Sequence, residues 1–236
     1  MRDSLRHFTA ELIGTFALVF IGGGAIIVSK QPDSAIGLVE IALAHGLILA
    51  VMVTATMRIS GHFNPAVTLG FLVTRRIGPM MAGIFMTGQL LGAMLAAYAL
   101  KATFPHDLFV VARGGGQFVA IGVSTYQAYA LEAIATFFLV FVVFGTAVDP
   151  HAPKVGGLAI GFTIAADILA IGPLTGASMN PARSFGPAVA SGIYEGHVIY
   201  WIGPIVGALT AALLYDSLFL RRSVEPVDHG PVAPRG

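Results

Sequence analysis

Six stretches of about 20 apolar residues run through this chain, near 8–29, 36–57, 79–100, 127–148, 155–173 and 197–220. Hydrocarbon offers no partner to backbone N–H and C=O groups, so a segment of this length crosses a bilayer as an α-helix. Composition agrees: 56% of the 236 residues are hydrophobic and 11% are charged, against about 25% charged in ordinary soluble domains. The chain reads as an all-α, multi-pass membrane protein. Its opening, MRDSLRHFTAELIGTF, closes on no small-residue cleavage pattern and is expected to lead into the first span rather than to be a removable signal. Residues 223–236 are polar and Pro-rich and are expected to be disordered.

Two short strings break the pattern. SGHFNPAVTLG lies between spans two and three, and GASMNPARSFGP between spans five and six. Asn64 and Asn180 are good helix N-caps, and Pro65 and Pro181 suit the first helical position, where a missing N–H costs nothing. Ala66 and Ala182 complete the two Asn-Pro-Ala triplets. The expected helices, 65–75 and 181–191, are each roughly 15 Å long, about half the hydrocarbon thickness. Half-length helices at corresponding places of a hydrophobic chain point to a site at the bilayer midplane.

The chain therefore divides into two halves, about 8–100 and 127–220. AELIGTF opens span one and LEAIATF opens span four; GQLLGA and GPIVGA match in spans three and six, each with Gly-x-x-x-Gly for close helix approach. Three spans per half invert the second half relative to the first, so the half-helices enter from opposite faces and meet N-terminus to N-terminus. With the termini in the cytoplasm, Arg2, Arg6, Arg58, Arg75, Arg76, Lys154, Arg221, Arg222 and Arg235 lie inside, and only Lys30, Lys101 and Arg113 lie outside.

Arg183 follows the second triplet, and a charge at that depth must face water or a partner. Glu11 and Glu132 match across the repeat; each is read as a buried acceptor for the exposed backbone N–H groups of a re-entrant loop. His45 in span two and Asp167 in span five are further polar groups in apolar helices, each open to a structural or a pore-lining role. Gly22-Gly23-Gly24 and Gly114-Gly115-Gly116 lack the strand–loop–helix setting of a phosphate cradle. The histidines have no metal-ligand spacing, there is no cysteine, and no nucleophile–base set is present. No metal, cofactor or enzymatic activity is expected, and a net charge of +1 gives no reason for a nucleic-acid partner.

The doubled Asn-Pro-Ala strings, the Arg after the second, the AELIGTF opening and the six-span inverted repeat resemble the major intrinsic proteins, the aquaporins and glycerol facilitators, over about residues 8–220. The resemblance implies an aquaporin-like fold over residues 1–222, six membrane helices with two re-entrant half-helices, an hourglass pore in each protomer and a homotetramer in the lipid bilayer. It makes Asn64 and Asn180 donors to a single file of water, and the carbonyls of Gly61, His62, Phe63, Gly176, Ser178 and Met179 acceptors along one wall. Its outer filter falls on His45, Ile168, Ala177 and Arg183, a set similar to that of plant tonoplast intrinsic proteins. This chain writes SGHFNPAV where the family writes SGxHxNPAV, one residue short before His62. Ser184, Ala188 and the pair Tyr200-Trp201 favour water over glycerol.

The expected function is passive water flow with exclusion of protons and ions; ammonia, urea and hydrogen peroxide are further candidate permeants. Positive half-helix ends and Arg183 supply the exclusion. A glycerol or urea facilitator is the near alternative, an inverted-repeat secondary transporter the distant one. The expected location is the cell (inner) membrane. Because the chain has no cysteine, water flow through it should be insensitive to mercurials. Strong block by mercury(II) in stopped-flow assays would contradict that expectation.

Overall fold

The computed structural model describes residues 2–153 and 155–220. Lys154, Arg221, Arg222, Arg235 and the tail expected to be disordered lie outside the described residues. The six long helices are α1 (Arg2–Val28), α2 (Leu38–Thr56), α4 (Pro79–Thr103), α6 (Thr125–Val143), α7 (Gly156–Thr175) and α9 (Ile199–Leu218). The half-length helices are α3 (Pro65–Val73) and α8 (Pro181–Ser191). A short α5 (His106–Val111) and a single 3₁₀ turn (Arg113–Gly115) fill the loop between the halves. No strand occurs among the described residues.

Helix ends follow local chemistry. Ser124 opens α6 with a capping box: its side chain accepts from Gln127 N, and the Gln127 side chain accepts from Ser124 N at 2.8 Å. The last turns of α6 widen into a π-turn, Phe144–Val148. Helix α3 stops at Val73, short of the expected Arg75, because Thr74 turns its hydroxyl back onto Gly70 O at 2.9 Å and Arg75 takes a left-handed φ of 59°. Helix α1 starts at Arg2, earlier than the apolar stretch, with Asp3 in its first turn where a negative charge favours the helix N-terminus.

Glycine sets how the helices pack. Helices α1 and α4 pair through Gly88 and Gly92; a Cβ on Gly92 would lie 2.3 Å from Leu12 O. Helices α6 and α9 pair the same way, and a Cβ on Gly207 would lie 2.0 Å from Ala133 O. Between the halves, α2 and α7 cross at Gly46 and Gly161, where a Cβ on either would lie 2.5 or 2.2 Å from the other's carbonyl oxygen. Without a hydrophobic drive between helices in lipid, this backbone proximity is what holds them together. The half-helices swap partners: α3 packs on α9 of the other half and α8 on α4, with Gly186 tight against Ala93 O. The two Gly triplets also meet, Gly115 lying against Gly23 so that its Cβ would be 2.6 Å from Gly23 Cα. This contact seats the loop between the halves on α1.

Gly207→Leu should therefore cost about 1–3 kcal/mol by overpacking, read as a lower melting temperature in detergent. Gly83→Ala, where nothing lies within 4 Å, should leave that temperature nearly unchanged.

Candidate functional site: a pore between two half-helices

The two half-helices meet through their N-caps. Asn64 caps α3 by accepting from Ala66 N at 2.9 Å, and Asn180 caps α8 by accepting from Ala182 N at 3.0 Å. Each side-chain amide then reaches across to the other half. Asn64 Nδ2 donates to Met179 O at 2.7 Å, and Asn180 Nδ2 donates to Phe63 O at 2.8 Å. A side-chain amide carries two N–H donors, so each Asn keeps one for the cavity it lines.

The irregular backbone before each cap is tied to a carboxylate. Glu11, fully buried, accepts from His62 N at 2.9 Å, Phe63 N at 2.7 Å, the Ser60 hydroxyl, and Gln89 Nε2 at 2.6 Å. Glu132, also fully buried, accepts from Ser178 N at 3.0 Å, Met179 N at 2.8 Å and the Thr175 hydroxyl at 2.7 Å. A further pair repeats across the halves. The residue two before each Asn meets the hydroxyl four after it: His62 Nδ1 to Thr68 at 3.1 Å, and Ser178 Oγ to Ser184 at 2.5 Å.

A narrow cavity of about 30 Å³ runs past both Asn side chains. His45, Ile168, Ala177 and Arg183 all line it, together with Gly61, His62, Ser178 and Met179. Phe63 and Gly176, expected on the same wall, do not. The left-handed φ of Phe63, 48°, sends its ring against Gly14 and its carbonyl to Asn180. Gly176 ends α7 in a left-handed conformation, packed against Gln117. The α7 residues that line the cavity, Ile160, Ile164 and Ile168, recur every four residues. Asp167 is off that face, and one of its carboxylate oxygens is buried without a partner.

His45 and Arg183 form one unit. His45 Nδ1 lies 2.8 Å from Ile41 O, and Nε2 lies 2.8 Å from Arg183 Nη2. A carbonyl only accepts and a guanidinium only donates, so the proton sits on Nδ1 and Nε2 is the acceptor. Gly22 makes room for the ring, since a Cβ there would lie 2.3 Å from His45 Cδ2. Arg183 is 4% exposed, which rules out a side chain reaching for headgroups, and its Nε and Nη1 have no protein partner.

The family model described as Major intrinsic protein matches residues 1–215. The chain belongs to that family. Among curated relatives, Aquaporin TIP4-4 of Zea mays is 43% identical over 92% of this chain and 87% of its own. Aquaporin TIP2-1 of Arabidopsis thaliana is 43% identical over 98% and 92%. An X-ray structure of the aquaglyceroporin from Plasmodium falciparum superposes with a TM-score of 0.79 at 24% identity, covering 91% of this chain and 96% of that one. At that identity it is a likeness of fold.

Within this major intrinsic protein, Gln89 supports the site without any expectation from the sequence, and Tyr200 and Gly22 support it through contacts that the sequence does not show. Gln89 bridges Glu11 and Thr68, donating to the latter at 2.9 Å. The Tyr200 hydroxyl donates to Thr175 O at 2.8 Å, next to the second loop. Gly22 stood inside a triplet weighed only as a phosphate motif. A lone polar residue in an apolar span, as at Gln89, was the available signal. Replacing Glu132 by Gln keeps one oxygen acceptor and turns the other into an NH2 donor, so at least one of the two backbone N–H groups and the hydroxyl is left without its acceptor, at a cost of about 1–3 kcal/mol per orphaned donor. Glu132→Gln and Glu11→Gln should each lower the melting temperature in detergent and reduce water flux; an unchanged melting temperature would refute the anchoring role.

Proposed function

We propose that the chain is a passive water channel whose conduction path is the narrow cavity between Asn64 and Asn180. The observation that carries this is the reciprocal pair of Asn bonds across the halves, which leaves one donor on each amide facing the cavity. Water entering a narrow section must exchange its own hydrogen bonds for ones that neither trap nor reject it. Two amide donors, backbone oxygens on one side and apolar side chains such as Leu49, Val67 and Ile164 elsewhere supply that balance. The channel moves solute down its gradient and performs no catalysis.

His45, Ile168, Ala177 and Arg183 form the selectivity filter in this reading. The support is that all four line one cavity and that His45 and Arg183 are locked together. Arg183 puts a fixed charge there, and the N-termini of α3 and α8 converge below it; both repel cations and protons. Ile168 contributes bulk without a hydrogen bond, so the filter is less uniformly polar than one built from histidine, and small neutral solutes such as ammonia or urea are the expected secondary permeants. Against a glycerol facilitator stands Ser184, which is buried and bonded to Ser178 rather than open to solute. A coupled transporter would need an ion site, for which the cavity offers no carboxylate.

The protein is multi-pass and integral to the membrane, with the termini cytoplasmic and a homotetramer as the assembly we propose. Relatives of the TIP type give no support to the cell (inner) membrane as its location.

In proteoliposomes, water should cross with a low activation energy and without saturation. Arg183→Ala should raise proton or urea leak about tenfold, the equivalent of about 1.4 kcal/mol off the barrier. His45→Phe should instead narrow the filter and lower urea and ammonia flux. Unchanged leak in the first variant and unchanged solute flux in the second would remove these residues from the gate.

A further inference from the structure

The two halves approach their Asn residues along loops of different length. The hydroxyl that anchors the second loop to Glu132 belongs to Thr175, and the one that anchors the first to Glu11 belongs to Ser60. The stretch from Thr175 to Asn180 is one residue longer than that from Ser60 to Asn64. The bonded amides nevertheless hold the same register, since the two residues before each Asn donate to the glutamate in both halves. The missing residue thus falls between the anchoring hydroxyl and the first bonded amide. Backbone angles agree. The second loop turns through two left-handed non-glycine residues, Ala177 (φ 46°) and Met179 (φ 53°), and the first through Phe63 alone (φ 48°).

The lining of the narrow cavity bears on this. The second loop contributes Ala177, Ser178 and Met179 and the first Gly61 and His62; Phe63, in the register of Met179, is turned aside, and Ala177 is the lining residue with no counterpart in the shorter loop. On the inner side Gly61 and His62 also border a chamber of about 640 Å³, shared with His7, Met57 and Arg76. The first ladder therefore runs straight from the narrow section into a wide one. An extended residue spans at most about 3.5 Å, close to the diameter of a water molecule of about 1.4 Å radius. One residue fewer in the ladder is one water position fewer in the file.

We propose that the short first loop ends the single-file section one water site early on the inner side, so that the file opens directly into the inner chamber. The inference rests on the water-channel reading above. Gly61 becomes the last step of the file, and His62 before it is fixed by Thr68 and packed against Phe71 in a tilted contact at 4.2 Å and against the edge-on Phe85 at 4.9 Å.

The ratio of osmotic to diffusive water permeability counts the waters that move together in a single file. With an Ala inserted between Gly61 and His62, that ratio should rise by about one in proteoliposomes, with osmotic flux falling. An unchanged or lower ratio in a conducting insertion variant overturns the inference. Osmotic flux of the unaltered protein no higher than that of empty vesicles overturns the water reading itself, and this inference with it. An experimental structure of the unaltered chain showing ordered water tests the same point without a folding risk. It should show waters held by inner-ladder carbonyls no further inward than Gly61, and a further file water held by a carbonyl before Gly61 overturns the proposal.

Discussion

Irregular backbone at membrane depth survives only if every polar group finds a partner, and two buried carboxylates supply that condition here. Glu11 and Glu132 each take two consecutive backbone N–H groups and a hydroxyl from the loop in front of a half-helix. A charge-assisted bond of this kind is about twice as strong as a neutral one, and losing it leaves donors stranded in hydrocarbon. With the loops fixed, their last carbonyls, Phe63 O and Met179 O, stand where the opposite Asn can reach them. The glutamates hold the loops, the loops hold the Asn caps, and the caps join two half-helices into one interrupted span.

The halves solve the same problem with different side chains. Gln89 gives Glu11 a fourth donor, whereas its partner position in the GPIVGA string is Pro204, which brings no side-chain donor. Beside the second loop, Tyr200 supplies support from the opposite direction through Thr175 O. His62 and Ser178 occupy equivalent places and bond to equivalent hydroxyls, yet one is a large aromatic ring and the other a small hydroxyl. The cavity thus has a symmetric skeleton with unlike linings, and on one side of it α8 brings Arg183 against His45.

Helix packing follows from the same need for close backbone approach. Small residues at Gly46 and Gly161 let the halves touch backbone to backbone at their crossing. Gly22 is the case where packing and site coincide, because a side chain there would displace the imidazole that receives Arg183. A residue that looks like spacer material in the sequence thereby sets the position of the His45 ring.

Local rules made much of this legible from the residues alone. Span number, half-helix starts, the inverted repeat and the paired glutamates all follow from hydrophobic length, capping chemistry and internal matching, which act over a few residues. His45, Ile168, Ala177 and Arg183 were singled out as a set only through family resemblance and spacing, and the structure brings them to one cavity. What needed the tertiary structure depends on contacts between distant segments. No spacing rule links Asn64 to Met179 O, Gln89 to Glu11, or Gly22 to His45, because each bond or contact joins helices whose relative placement is decided by packing. The same holds for Phe63 and Gly176, which stand in the motif strings but do not line the narrow cavity. Left-handed backbone directs one carbonyl to Asn180 and packs the other residue on Gln117. The chain's own order determined that two half-helices would meet; only the folded backbone decided which of their neighbours line the cavity.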